Sequence, residues 1–302
     1  NPQTRLTYTP TGSGDGVKQI KARAVQFAGT DVPLTPAQLA EHRLVQIPMV
    51  VGGLVPAVNL PGVASNALVL DGATLAALMA GDIRDWQDPR VAALNPGLKL
   101  PALAVRRVVR EDASGSSEVF TRYLALVSPG FGQRTLPSQK PQWPGEPLRA
   151  PGSDGVAALL KATPGGLTYV PFDRVVKDKL AAVRLRTPEG HLVVASEDSF
   201  RAAILASDVY RQGDDQASLL GMPRKDAWPI TATSFLLLDA APAQASQAEA
   251  VTRFVYWAFM HGDELTRGTG FAPMPERVQA RLAGRLMQIR GPGGQVPNFS
   301  AP

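Results

Sequence analysis

Segments typical of β-strands alternate with segments typical of α-helices along most of this chain. Residues 6–9, 25–28 and 105–109 are strand-like, whereas residues 36–41 suit a helix and residues 248–260 place apolar side chains at helical spacing. Such alternation predicts an α/β fold with largely parallel sheets. Because 302 residues exceed the usual size of a single core, we expect two lobes.

The composition favours a globular chain without metal or nucleic-acid chemistry. The most apolar region, residues 44–70, contains Pro48, Pro56 and Pro61, so it predicts buried strands joined by turns rather than a membrane span. The net charge of +5 favours anionic ligands weakly, and the basic residues are scattered, which argues against a nucleic-acid partner. The absence of cysteine excludes disulfides and thiolate metal sites.

Polar residues that can cap helices mark several predicted helix starts. Asp71 precedes the helix-forming residues 72–80, and Ser153 or Asp154 can cap a helix that runs to residue 160. These caps divide the middle of the chain into short strand and helix units.

The run REDASGSS, residues 110–117, places a cation and a hydroxyl-rich turn ahead of an amphipathic segment. Ser114 lies where a helix N-cap belongs, so free backbone N–H groups and the positive end of the helix dipole meet there. Arg110 adds a planar set of donors that fits phosphate or carboxylate. The run therefore suits an oxyanion, although a plain capped turn remains an alternative.

Two further polar loops occupy the same kind of position. Ser13, within GSGDG, and Asp31 each follow a predicted strand, as the loop at Arg110 does. Ligands of open α/β sheets bind beyond the carboxyl ends of strands, so the three loops can converge. Each loop alone is as consistent with an ordinary turn, and only the combination indicates a site.

The sequence resembles the periplasmic phosphate-binding proteins that serve ABC importers. The resemblance begins with GSGDGVKQI and FAGTDVPL, which hold Ser13 and Asp31, and it continues in order over almost the whole chain. The matching stretches are residues 12–20, 27–34, 52–62, 69–72, 94–98, 110–120, 166–170 and 226–231.

The resemblance implies the two-lobed α/β periplasmic-binding-protein fold of type II, with the ligand cleft between the lobes. Lobe I is expected to comprise residues 1–59 and 234–302, and lobe II residues 60–233. The implied phosphate ligands are Ser13, Asp31, Arg110, Ser114, Gly115 and Ser116. The implied role of Asp112 is to orient Arg110 and to offset part of its charge.

Asp31 is the expected discriminator between phosphate and sulfate. Phosphate usually keeps a proton at neutral pH, so it can donate a hydrogen bond to an ionised carboxylate. Sulfate is fully ionised and can only accept hydrogen bonds. A site built around such a bond can discriminate by about 10⁴ to 10⁵.

The chain departs from the family pattern at its beginning. Family members open with a strand and a hydroxyl-bearing turn that contacts phosphate, and nothing before Ser13 corresponds to it. We therefore expect that an N-terminal segment is missing, or that another polypeptide or a rearranged tail fills its place. Asp15 stands where the family has a small neutral residue, and it can either weaken anion binding or point outward. Ala113 and Ser116 replace a glycine and a threonine.

The expected function is to bind inorganic phosphate and to deliver it to the membrane subunits of an ABC permease. We expect a periplasmic or secreted monomer without enzymatic activity, cofactor or metal. The alternatives are a secreted regulatory relative with weakened binding, a binder of another tetrahedral oxyanion, and a hydrolase that uses Ser114 or Ser116. The contexts of His42, His191 and His261 give the hydrolase little support.

Overall fold

A computed structural model describes residues 5–298 of the chain as an α/β structure. Residues 1–4 and 299–302, which belong to the predicted lobe I, lie outside the described residues. Within the described part, no helix is both long and apolar enough to cross a bilayer.

Eleven strands are described in chain order. They are β1 (Phe27–Thr30), β2 (Leu44–Asn59), β3 (Val69–Asp71), β4 (Arg106–Arg110), β5 (Leu148–Ala150), β6 (Gly166–Pro171), β7 (Ala181–Ala182), β8 (Arg184–Arg186), β9 (Leu192–Val193), β10 (Thr231–Asp239) and β11 (Phe271–Pro273).

Twelve α-helices accompany these strands in the described residues. They are α1 (Ser13–Lys21), α2 (Pro36–Glu41), α3 (Gly72–Ala80), α4 (Pro89–Leu94), α5 (Gly115–Val127), α6 (Pro129–Arg134), α7 (Gly152–Lys161), α8 (Phe172–Asp178), α9 (Glu197–Ala206), α10 (Asp208–Arg211), α11 (Ala245–Thr266) and α12 (Glu276–Ala283).

The long strand β2 joins two halves of the main sheet. Its first part pairs with β10 through the register Gly53–Thr231, and β10 pairs in turn with β1. Its last part pairs with β6, beginning at Leu54, and β6 leads to β4 and β5. Strands β3, β8 and β9 form a separate small sheet. One strand thus ties the halves together, and residues 44–70 contain β2, a turn-containing segment and the start of β3, in agreement with the prediction of buried strands joined by turns.

The prediction of largely parallel sheets is wrong. The strands β1, β10, β2 and β6 pair antiparallel in that order, and only β4 with β5 and β6, and β3 with β8, run parallel within the described chain. The direction of a pair depends on which strands meet, and β10 begins only at Thr231, far along the sequence from the ends of β1 at Thr30 and β2 at Asn59.

The predicted strand at residues 6–9 does not form. This segment has no assigned secondary structure, and Leu6 and Tyr8 are exposed. The Tyr8 ring stacks on Phe27 of β1 at 6.4 Å between centroids. A strand is stable only when its backbone groups are paired, and in the described residues β1 pairs only with β10.

Large buried side chains fix the two halves on either side of β2. Phe120 and Tyr169 stack at 4.3 Å between centroids and join helix α5 to strand β6. Trp228 is fully buried, and its Nε1 donates to the carbonyl of Leu54 at 2.9 Å, where β2 passes from one half to the other. These contacts tie α5 to β6 within one half and anchor β2 where it joins the two halves.

Candidate functional site

Helix α5 begins at the end of the loop after β4, as the sequence predicts. Ser114 is the N-cap residue, and its Oγ accepts a hydrogen bond from the backbone N–H of Ser117 at 3.2 Å. The Ser117 hydroxyl bonds to the Tyr169 hydroxyl at 2.7 Å, which anchors the first turn to β6. Ser114 is 1% exposed, so this helix start faces the interior of the protein.

Arg110, the last residue of β4, is held by three side-chain hydrogen bonds to two residues. Its Nε donates to Asp112 Oδ1 at 2.7 Å, its Nη2 donates to Asp112 Oδ2, and its Nη1 donates to Ser153 Oγ at 3.1 Å. The side chain of Arg110 is only 9% exposed. The geometry matches the orienting contact expected of Asp112, and it adds Ser153 to the set.

Asp112 is ionised over the physiological pH range. Burial raises its pKa, but hydrogen bonds from Arg110 and from the backbone N–H of Gly152, the latter at 3.0 Å, bring the pKa down to about 2. Gly152 and Ser153 start helix α7, whose N-cap is Pro151 without a side-chain bond. The predicted cap at Ser153 or Asp154 is therefore wrong, because the Ser153 hydroxyl accepts from Arg110 instead.

Ser13 and Asp31 meet at the start of helix α1 and the end of strand β1. The Ser13 Oγ accepts from the backbone N–H of Asp31 at 3.3 Å, which leaves the proton of the hydroxyl available for an oxyanion. Gly12 is the N-cap of α1, so Ser13 is the first residue of that helix.

The two halves of the sheet touch through these loops. Ser116 Oγ donates to Asp31 Oδ2 at 3.4 Å. A side chain at Gly115 would overlap the Ser13 hydroxyl, and one at Gly12 would come within 2.7 Å of Asp112 Oδ2. Only glycine permits this close approach, so Gly115 is required by packing as well as by the backbone donor expected of it.

Asp31 is the carboxylate at the centre of this contact. Burial raises the pKa of Asp31 above that of an exposed aspartate, whereas hydrogen bonds from Ser234 and Ser116 and the positive charge of Arg110 lower it. Ser234 donates to Asp31 Oδ1 at 2.8 Å. The structure thus brings Ser13, Asp31, Ser116 and Gly115 into direct contact, with Arg110 near enough to act on the Asp31 charge.

Sequence reasoning missed Gly152, Ser153 and Ser234. Gly152 and Ser153 reach the site because β5 pairs with β4 in the register Arg110–Ala150, and Ser234 does so because β10 pairs with β1. The nearest sequence feature that could have pointed to Ser234 is the family-like stretch 226–231, which ends just before it. Asp15 is exposed and accepts from Gln19 at 2.7 Å, so it points outward, which is one of the two expected outcomes.

A small pocket of 90 Å³ borders Asp31 and is also lined by Arg122, Gln216 and Thr233. A larger surface pocket of 340 Å³, lined mainly by apolar residues between Phe172 and Ala195, contains none of the candidate ligands. No group of three or more His, Cys, Asp or Glu side chains in residues 5–298 is arranged to hold a metal ion. The candidate ligands and Asp112 together offer hydroxyls, backbone N–H groups, one guanidinium and two carboxylates.

Comparison with known proteins gives consistent matches over most of the chain. A sequence profile described as a PBP superfamily domain matches residues 1–261. The chain is 33% identical over 278 residues to the phosphate-binding protein PstS of Xylella fastidiosa strain Temecula1, covering 92% of this chain and 76% of that protein. It is 33% identical over 279 residues to the phosphate-binding protein PstS of Haemophilus influenzae, covering 92% of this chain and 83% of that protein.

A solved structure supports the same fold. It is a high-affinity periplasmic phosphate-binding protein bound with phosphate, which superposes with a TM-score of 0.70 at 21% identity and covers 91% of this chain and 85% of that one. The predicted two-lobed periplasmic-binding-protein fold is confirmed by this likeness.

Proposed function

This chain belongs to the PstS family of phosphate-binding proteins, and from that premise we propose that it binds inorganic phosphate between its two lobes and delivers it to an ABC permease. The observation that carries the proposal is the meeting of Ser13 and Asp31 from one half of the sheet with Gly115 and Ser116 from the other, beside Arg110. A ligand held by both halves joins them, and closure around a ligand is the usual motion of such binders.

Each proposed ligand offers a group that phosphate can use. Ser13, Ser114 and Ser116 supply hydroxyls, and the first turn of α5 supplies backbone N–H groups that include that of Gly115. Arg110 supplies charged donors in a fork that Asp112 and Ser153 hold in place. Asp31 supplies the acceptor for the proton that phosphate carries.

We assign binding rather than hydrolysis to this site. The hydroxyls of Ser114 and Ser116 bond to the Ser117 backbone and to Asp31, and in the described residues neither bonds to a histidine. His261 packs against Trp257 on helix α11. A serine nucleophile needs an adjacent base, so this arrangement supports the binding function. The names of the relatives likewise describe binding proteins and not enzymes.

The remaining parts of the proposal concern location and partners. We expect a periplasmic or secreted protein that acts as a monomer and presents both lobes to the membrane subunits of the permease. The two lobes are proposed to be residues 1–59 with 234–302, and residues 60–233. The family membership supports transport over a regulatory relative that has lost phosphate binding.

Titration calorimetry with phosphate and sulfate tests the proposal. We expect tight binding of phosphate, and competition by sulfate only at a large excess. Asp31→Asn should reduce the preference for phosphate, because its amide can donate to sulfate and its single oxygen already accepts from Ser234. A folded protein that gives no heat with phosphate would contradict the function, and equal affinity for the two anions would favour a general oxyanion binder.

A further inference from the structure

Ser234 contacts Asp31 on the side away from Ser116. Its hydroxyl donates to Asp31 Oδ1 at 2.8 Å, while Ser116 donates to Oδ2 at 3.4 Å. The shorter bond is therefore made by a residue of strand β10, and the longer bond by a proposed phosphate ligand. The two oxygens of the carboxylate have different partners, and Oδ2 is the one that faces the other proposed ligands.

Ser234 is placed by the pairing of β10 with β1, and it lies beside a β-bulge in β2. Thr30 pairs with Phe235, so Asp31, the next residue, lies opposite Ser234. On the other side of β10, Ser234 pairs with Val50 and Phe235 pairs with Pro48, which leaves Met49 as the extra residue. Pro48 has no N–H to donate to the ladder. Bulges of this kind redirect side chains next to functional sites.

We propose that Ser234 is a specificity-determining positioning residue of the phosphate site. By donating to Asp31 Oδ1, it holds Oδ2 toward the ligand as the acceptor for the phosphate proton. This inference rests on the proposed function and deepens it, because it identifies the residue that makes Asp31 able to select a protonated oxyanion.

The groups around Asp31 explain how Ser234 can affect the protonation of this carboxyl. The groups that face the carboxyl are Ser234 from β10, Ser116 from α5 and the guanidinium of Arg110 from the end of β4. Burial raises the pKa of Asp31, and the bond from Ser234 is the largest influence that opposes it, ahead of Ser116 and Arg110. Without Ser234, Asp31 takes up a proton at a higher pH.

A protonated Asp31 reduces the preference for phosphate over sulfate. It can donate a hydrogen bond to sulfate, and it loses one of the acceptor sites that the phosphate proton needs. Removal of the Ser234 hydroxyl is thus expected to weaken phosphate binding and to improve sulfate binding together, most strongly at acidic pH. The loss of a residue that only stabilised the fold would not change the affinities for phosphate and sulfate in opposite directions.

The experiment compares Ser234→Ala, Ser234→Thr and the control Thr233→Val. Threonine keeps the hydroxyl, and the control removes a hydroxyl that is buried without a hydrogen-bond partner on the neighbouring residue of the same strand. Phosphate and sulfate affinities are measured by calorimetry from about pH 5.5 to 8.5, and the Asp31 carboxyl is titrated by carbon-13 NMR in the ligand-free protein. Thermal unfolding checks that each variant is folded.

Ser234→Ala should bind phosphate about tenfold more weakly, which is the scale of one hydrogen bond to a charged group. Its phosphate-to-sulfate ratio should fall further as the pH is lowered, and the pKa of Asp31 should rise. Ser234→Thr and Thr233→Val should resemble the wild type.

Wild-type affinity and wild-type Asp31 titration in Ser234→Ala would overturn the inference while leaving the phosphate function intact. Equal losses in Ser234→Thr and Ser234→Ala would also overturn it, since the hydroxyl would then not be the cause. If the wild type itself fails to bind phosphate, the proposed function fails, and the Asp31 titration alone then decides whether Ser234 acts on this carboxyl.

Discussion

Asp31 combines functional need with a cost to stability. Burial raises its pKa, so the ionised form that can accept the phosphate proton is disfavoured in the ligand-free protein. Ser234, Ser116 and Arg110 reduce this cost without removing it. The residue is therefore suited to the liganded state rather than to the empty one.

Asp31→Asn should raise the thermal stability of the ligand-free protein at neutral pH. A carboxyl whose pKa is higher in the folded state binds more protons when folded, so its stabilising contribution is complete below its ordinary pKa of about 3.9 and is lost as the pH rises through the folded value. The asparagine cannot ionise and escapes this loss. Melting temperatures measured at several pH values check the prediction.

The difference between Asp31→Asn and the wild type should be largest near pH 7 and should shrink as the pH falls toward about 4. Asp112→Asn should instead lower the stability at neutral pH. The pKa of Asp112 is lowered to about 2, so its stabilising contribution is present at that pH. A constant difference for Asp31→Asn at all pH values would mean that its ionisation does not limit stability.

Residues close together in sequence were easier to identify than residues joined by strand pairing. Arg110, Asp112 and Ser114 lie within one loop, and their contacts follow from helix capping and from the short distance between a guanidinium and a carboxylate two residues away. Ser234 lies 203 residues from its partner Asp31. Its role depends on the register of β10 against β1, beside the bulge at Met49 of β2, and the sequence pattern alone does not determine this register.

At the scale of secondary-structure elements, helix α5 serves both the fold and the site. Its N-cap Ser114 satisfies the Ser117 backbone N–H, and the same hydroxyl is proposed to contact phosphate. Helix α9 offers a matched case without that second role, because its N-cap Ser196 accepts from the Ser199 backbone N–H, also at 3.2 Å.

Ser114→Ala and Ser196→Ala should each lower the free energy of unfolding by about 1 kcal/mol, the usual cost of losing a helix cap. Only Ser114→Ala should also weaken phosphate binding. Chemical denaturation and calorimetry on the two variants separate the effects. A similar loss of phosphate affinity in both variants would show that stability, and not the Ser114 hydroxyl, controls binding.

Helices and strands with clear local signals were predicted correctly, and their arrangement was not. Helix α2 and helix α3 have the predicted bounds, since Pro36 and the cap Asp71 fix their starts locally. The antiparallel pairing of β10 with β1 and β2 was missed, because strand direction depends on long-range contacts. Residues 6–9 have a strand pattern but no assigned strand, since local pattern does not supply a pairing partner.

At the scale of the whole molecule, strand β2 is shared and the loops of the two halves meet beyond it. The contact is tight at Gly14, where the backbone N–H donates to the carbonyl of Ala113 at 3.4 Å. A Cβ at Gly14 would lie 2.7 Å from both Ala113 Cβ and Gln139 Oε1. Small residues at this point therefore allow the halves to close. The proposed limits of the two lobes stay a prediction.

Gly14→Val should hold the halves apart and weaken phosphate binding by about tenfold to a hundredfold, because overpacking costs about 1 to 3 kcal/mol. Gly130→Val is the matched control, since Gly130 is also the second residue of a helix and has open space around it. Calorimetry measures the affinity of both variants. Unchanged affinity in Gly14→Val would mean that this contact is not needed in the bound state.

The pairing of Arg110 with Asp112, next to Asp31, determines how the protein responds to salt. One cation stands beside two carboxylates, so the site attracts phosphate through short hydrogen bonds rather than through a long-range positive field. Raising the salt from about 0.01 to 1 M shortens the Debye length from about 30 to 3 Å. Phosphate affinity should change little over that range in the wild type. It should fall steeply in Asp112→Asn, because this change removes the carboxylate charge that neutralises Arg110. A protein built in this way can collect phosphate equally well from dilute and from saline surroundings.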